Sequence, residues 1–367
     1  MFAQTTLGYI RMSKINVLEF SNQWSLGGTE KSAQLFMKYL DKDKFNVWAA
    51  GWRGGPRVEL IKEYAQEVFI NEDVKEMQTW MALHDFDIVH FHRAGNAESI
   101  LIDTFKLAGI PVLVEHNIFG QFDSSGDSDE IDRHIFVSNI QKKLYSQRAG
   151  DGYVESKCTA LYNPVEVTDF AWHGVANDYS KPIFGRHSRD DQYKWHPVNI
   201  QILPYVKAAV PDAKFHVIGL PTPYREAIER MGLMDMVVEF PMTPDESKIK
   251  EFLSTLTVYT HGSLIGESFG IGIAEAMSIG LPVVTHLGGD SAQGELVVDN
   301  FTGYVTKEND VKEYADRVIE LLKNPTKKEI MGKNGQERAL KYFDASQVTK
   351  QLEEIFIETL NGKKDYN

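Results

Sequence analysis

Short apolar runs alternate with amphipathic stretches along the whole 367-residue chain, and no other feature restricts its fold as much. In the first half, strand candidates fall at 15–20, 45–50, 88–91, 112–115, 135–137 and 159–162, with helical candidates such as 30–40, 96–107 and 139–148 between them. Strands separated by helix-length segments form βαβ units, because parallel neighbours need a long crossover. The product is a parallel sheet with helices on its faces. Asn163-Pro164 interrupts the pattern, since proline disfavours helix in its predecessor, and 165–181 reads as a linker or irregular entry segment. The alternation then restarts with strand candidates at 182–185, 215–218, 237–240, 258–260, 283–285 and 304–306, and helical candidates at 199–209, 224–231, 246–256, 271–279, 311–322 and 327–342. A last segment carries Val348, Leu352, Ile355, Phe356 and Leu360 at helical spacing, one buried stripe. The expected fold class is α/β: two doubly wound, Rossmann-like domains, 1–164 and 182–344, followed by a terminal helix within 345–367. Ligands of such folds sit beyond the carboxyl ends of the strands, so a cleft between two facing sheets is the default site.

Composition narrows the function classes. The chain is too long for one ordinary core and suits two domains. Its 39 basic and 52 acidic residues give a net charge of −13, which argues against a general nucleic-acid binder. No apolar run approaches the ~20 residues that span a bilayer. The single cysteine, Cys158, rules out an intrachain disulfide framework and a zinc-thiolate cluster, and fits a reducing cytosol. Residues 1–13 contain Arg11 but no apolar core of a signal peptide; they read as a flexible extension or an alternative start around Met12.

Four constellations carry potential chemistry. After the first strand comes Ser25-Leu26-Gly27-Gly28-Thr29-Glu30, then a helix. Paired glycines let a ligand approach the backbone, and a helix start offers unpaired amides to an anion. The same sequence serves equally as a tight turn. It is not a G-x-G-x-x-G dinucleotide loop, which weakens a nicotinamide oxidoreductase reading. In the second half, Glu267 and Glu275 bracket a glycine-rich stretch, Ser268-Phe269-Gly270-Ile271-Gly272. Eight steps at ~1.5 Å rise separate them by roughly 12 Å, comparable with the reach from a sugar across a diphosphate to a ribose. A carboxylate can hold two vicinal hydroxyls, and amides at the helix start face the gap between. An isolated pair of this kind would more commonly be a cap and a surface ion pair, but Glu275 lies among apolar neighbours and so needs partners.

Arg186 and Lys194 follow the first strand of the second domain, where they can neutralise a diphosphate or form a solvated basic loop. His90, His92 and His116 lie at strand ends, which face the expected cleft; His90 reads rather as a core or edge residue, and His116 is the better functional candidate. Neither His90, His92, Glu115 and His116 together nor Asp190-Asp191 has convincing metal-ligand spacing, so no metal is expected.

Taken together, these residues resemble the retaining, GT-B-fold glycosyltransferases of family four, over nearly the whole chain and most specifically in the second half. Residues 267–277, the following Ser278-Ile279-Gly280-Leu281-Pro282, then Gly288-Gly289, Glu295 and 300–305 look like the family's paired-glutamate run and trailing glycine loop. Gly27-Gly28-Thr29-Glu30, Glu115-His116-Asn117 and Phe136-Val137-Ser138 look like landmarks of its first domain. The resemblance implies a GT-B fold whose last helix returns to the first domain. It further implies transfer, with retention and without a metal, from a UDP-sugar or GDP-sugar to a hydroxyl acceptor, and no other cofactor. Arg186 and Lys194 would hold the diphosphate, and Glu275 the ribose. Glu267 would lie beside the sugar, with the Phe269, Gly270 and Ile271 amides near its hydroxyls or the phosphates. Gly27 and Gly28 would approach from the opposite domain, His116 would contact the sugar, and Met242 would lie near the base.

Two departures from the family pattern stand out. The interval from Arg186 to Lys194 is longer than usual and Trp195 replaces a glycine, while Gly262-Ser263 replaces a common Pro-Ser. The acceptor, whether glycan, lipid-linked or small molecule, is not legible, nor is the oligomeric state. A cytoplasmic location follows, with peripheral contact at the inner face of a membrane left open. The alternatives are a UDP-GlcNAc 2-epimerase-like enzyme of the same fold and a non-catalytic nucleotide-sugar-binding subunit.

Overall fold

The computed structural model describes residues 14–171, 178–243 and 245–364; the expectation for 1–13, and the middle of the linker, lie outside the described residues. The first sheet contains β1 (Ile15–Ser21), β2 (Phe45–Gly51), β3 (Val68–Ile70), β4 (Ile88–Arg93), β5 (Val112–Asn117), β6 (Arg133–Phe136) and β7 (Cys158–Ala160), in the order β3-β2-β1-β4-β5-β6-β7. The second contains β8 (Ile183–His187), β9 (Lys214–Ile218), β10 (Val237–Phe240), β11 (Val258–His261), β12 (Val283–His286) and β13 (Gly303–Thr306), in the order β10-β9-β8-β11-β12-β13. All pairings are parallel. Central strands such as β4 and β12 are buried at every position, as a sheet covered on both faces requires.

All the strand candidates named from the sequence are present. Among the described residues, the one strand the pattern did not reveal is β3, a three-residue, half-buried edge strand whose apolar run is too short to show alternation. In both sheets the order reverses beside the first strand, between β1 and β4 and between β8 and β11. These are the switch points at which a doubly wound sheet opens a crevice.

The chain passes between domains twice at one place. Val165 donates its amide to the Phe343 carbonyl and accepts from the Ala345 amide, both at 2.8 Å. The helix Ala345–Lys364 then packs back on the first domain, where Val348, Leu352, Ile355, Phe356 and Leu360 join Val17, Phe36 and Ile88 in one core. Ile118 and Val137 of the first domain share a second core with Phe269, Ile273 and Met277. The two domains therefore meet through apolar contact as well as through the polar contacts of the site.

Candidate active site between the two sheets

The loop after β11 carries Glu267, and the helix Ile271–Ser278 follows it. Gly270 precedes the helix with φ +105°, a left-handed conformation that glycine adopts without a Cβ penalty. Ile273 and Ala274 donate their amides to the Gly270 carbonyl, and the amides before them leave the helix start as a positive dipole end. Phe269 turns its ring into the core against Tyr162 and Phe343, which fixes the loop.

Both carboxylates are ionised and held. Lys194 Nζ lies 3.0 Å and His261 Nε2 3.4 Å from the two oxygens of Glu267. Burial alone would raise this carboxyl, but His261 and Lys194 outweigh it and bring it down to about 2. Glu275 has His187 Nε2 at 2.9 Å on one oxygen and Lys31 Nζ at 2.7 Å on the other. Burial again opposes ionisation, and Lys31 and His187 overcome it, to about 2. Burial holds His261 neutral, down to about 4.

Lys31, His187 and His261 were not singled out from the sequence. His187 and His261 are the last residues of β8 and β11, where the strand-end rule would have found them. Lys31 follows the glycine loop directly, but its partners Glu246 and Glu275 come from the other domain and leave no local signal.

The basic pair is divided. Lys194 reaches Glu267, as a cation beside the crevice should. Arg186, expected to touch the diphosphate, is instead wholly buried. Its guanidinium stacks on Trp195, 4.4 Å from the ring centre, and donates to the carbonyls of Gly262 and Lys194. The reason lies in the departures seen in the sequence: the longer loop folds a tryptophan, in place of glycine, over the strand end. The arginine thereby braces the loop that presents Lys194.

From the first domain, Gly27 caps and Gly28 opens the helix Gly28–Tyr39. A Cβ on Gly28 would stand 2.8 Å from Ile271 Cδ1 of the other domain, so this glycine permits the close approach. Met242 is exposed in the loop after β10, just before the helix Glu246–Ser254, whose first residue reaches Lys31.

His116 is fully buried rather than open to the crevice. Glu19 accepts from His90 at 2.9 Å and from His92 at 2.5 Å, and His90 lies 3.2 Å from His116. Phe36 covers the three rings. Their nitrogens lie within 4.8 Å of one another, a looser gathering than the roughly 3.3 Å between tetrahedral ligands of one zinc. Glu115 belongs to a separate network with Arg93 and His134. Both networks hold the strand ends from which the first-domain loops depart.

Two facing Rossmann-like domains with this crevice define the GT-B class. The solved structures bear this out at the level of fold. The chain superposes on a glycosyltransferase from Rickettsia africae with TM-score 0.79 and 17% identity, over 95% of this chain and 99% of that one. It superposes on Anabaena HepE, solved with UDP and glucose, with TM-score 0.74 and 20% identity, over 94% and 100%. The family model for glycosyl transferases group 1 matches residues 175–338. The phosphatidyl-myo-inositol mannosyltransferase of Mycolicibacterium smegmatis is 25% identical over 303 residues, 78% of this chain and 75% of that protein. The GT-B fold, the group 1 match of the second domain and the mannosyltransferase relatives together support a glycosyltransferase. Among the described residues, no helix is long and apolar enough to cross a membrane.

Proposed function

We propose that this glycosyltransferase is a retaining, metal-independent enzyme that moves a sugar from a UDP-sugar or GDP-sugar to a hydroxyl acceptor in glycan, polysaccharide or glycolipid synthesis. The observation that carries the reading is the pair of ionised carboxylates, the partly exposed Glu267 and the buried Glu275, bracketing a helix start at the switch point of the second sheet. Glu275 is suited to the ribose and Glu267 to the transferred sugar, while Lys194 and the amides of Phe269, Gly270 and Ile271 offer positive charge between them. HepE, of like fold, was solved with UDP and glucose, and the mycobacterial relatives are named for mannosyl transfer to a phosphoinositide. A lipid-linked acceptor reached at the cytoplasmic face of a membrane is the acceptor reading these relatives support.

In the proposed reaction the bond from the anomeric carbon to the diphosphate oxygen breaks and a bond from that carbon to the acceptor oxygen forms on the same face. The acceptor proton passes to the departing phosphate oxygen, so the products are the glycoside and the nucleoside diphosphate. Lys194 and the helix-start amides stabilise the growing negative charge, the task a divalent cation would otherwise perform. Neither glutamate acts as a glycosidase-type nucleophile or acid, because both are ionised and engaged with cations.

The test is a matrix of UDP- and GDP-sugars against lipid, glycan and small hydroxyl acceptors, with the product's anomeric configuration read by NMR. A glycoside of retained configuration, formed equally with and without chelator, is expected. Inversion, or activity abolished by chelator, refutes the mechanism. Conversion of UDP-GlcNAc with no acceptor present would establish the epimerase instead.

A further inference from the structure

Lys31 belongs to the first domain, in the first turn of the helix Gly28–Tyr39, yet its ammonium lies among second-domain carboxylates. It is 2.7 Å from Glu275 and 2.7 Å from Glu246, with the lysine side chain 13% exposed and that of Glu275 5%. Burial would lower the lysine's pKa, but Glu275 and Glu246 raise it, so it stays charged. The same helix carries Gly28 against Ile271, so the ion pair and the steric contact form together when the domains meet.

A carboxylate offers about four acceptor positions over its two oxygens. His187 takes a position on one oxygen of Glu275 and Lys31 takes one on the other. One position remains on each oxygen, a matched pair for two vicinal hydroxyls. We propose that Lys31 is a positioning residue for the donor, supplied in trans by the first domain: it holds Glu275 in the orientation that accepts the ribose diol, so that ribose recognition and closure of the crevice are one event.

The proposal rests on the reading of Glu275 as the ribose carboxylate. Its physical basis is the cost of closing without the lysine. Glu275 would then be buried with a histidine as its remaining partner, and a buried charge that loses its ion-pair partner is strongly destabilised. Glu246, at an exposed helix start, gives the ammonium a second anchor and aims it at Glu275.

Calorimetry with UDP, GDP and their 2′,3′-dideoxy forms tests this on the full chain and on Lys31→Met. The intact protein is expected to bind UDP or GDP. Lys31→Met should weaken that nucleotide roughly ten-fold, as loss of a close charge pair does, and leave the dideoxy form unchanged. Lys31→Arg should restore much of the affinity for the ribonucleotide.

Equal weakening of both forms would mark Lys31 as merely structural and overturn the proposal. Unchanged or tighter ribonucleotide binding by Lys31→Met would overturn it too, the latter by showing that the lysine blocks the site. If the intact protein binds neither UDP nor GDP, the donor reading itself fails and takes this inference with it. Should Lys31→Met not fold, Glu246→Gln is read in the same way, with a smaller selective loss expected and no selective loss overturning the proposal.

Discussion

At the scale of single residues, Arg186 and Lys194 show how a sequence can name the right side chains without assigning their places. Both were legible as a basic pair after the first strand of the second domain. Only the folded chain reveals that Trp195 covers the arginine and that the lysine is the cation beside Glu267. The two positions therefore predict different variant behaviour. Arg186→Ala removes a buried planar cation, takes a donor from the Gly262 and Lys194 carbonyls and leaves a void under Trp195. It should cost about 3–5 kcal/mol of stability and turnover along with it. Lys194→Ala, at a partly exposed site, should leave stability within about 1 kcal/mol while lowering turnover by at least a hundred-fold, as loss of a transition-state charge partner does. Thermal melts beside initial rates separate them. A Lys194→Ala enzyme of near-normal rate, or an Arg186→Ala protein of unchanged melting temperature, contradicts this division.

At the scale of elements, the long central strands and amphipathic helices were legible because burial on both faces enforces apolar runs, and helical burial enforces stripes. The short edge strand β3 was not, since a three-residue edge has no period to read. The glycine loop was ambiguous from sequence, a turn or a ligand cradle, and the fold supplies a third reason for its glycine. Gly28 is where the first domain's helix start touches Ile271 at the start of the helix Ile271–Ser278. The contact atom is the far end of a flexible side chain, so a methyl can be absorbed by a small rotation of Ile271. A branched side chain cannot, because overpacking forces the backbones apart. Gly28→Ala should keep most activity, and Gly28→Val should hold the crevice open, with a larger radius of gyration in solution scattering and turnover down by ten-fold or more. Shortening the obstacle in the pair Gly28→Val with Ile271→Ala should recover part of the loss. No recovery would mean that the valine harms the helix itself rather than its approach to the other domain.

At the scale of the whole molecule, the contacts that close the crevice are what sequence reading could least supply. Ser138 donates to the Ser268 carbonyl at 2.7 Å, and Glu295 accepts the amides of Asn139 and Ile140 at the start of the helix Asn139–Ala149. These partners lie 130 to 156 positions apart, far beyond any local period. The same burial that locks the domains makes the molecule sensitive to acid. His90, His116 and His261 are neutral in the folded state because burial lowers their pKa below the ordinary 6.5, with His261 brought to about 4. A histidine depressed on folding contributes stability that is fully present above 6.5 and is lost as pH falls through its folded value, because the unfolded chain binds the proton first. Glu267 and Glu275 are lowered from 4.5 to about 2, so their contribution is intact above 4.5 and is lost between there and 2. Acid should therefore act in two stages, the histidines from pH 6.5 downwards and the carboxylates below 4.5. His261 alone spans about 2.5 pH units, or about 3 kcal/mol. The urea midpoint should accordingly be near its plateau at pH 7.5, lower at pH 5.5 and lower again at pH 4.5, before either site carboxylate begins to protonate. Replacing His261 by Asn should flatten the decline between 6.5 and 4.5 and, because His261 helps to hold Glu267 ionised, also lessen the fall below 4.5. A midpoint constant from pH 7.5 to 4.5 would show that these rings are not held neutral in the fold.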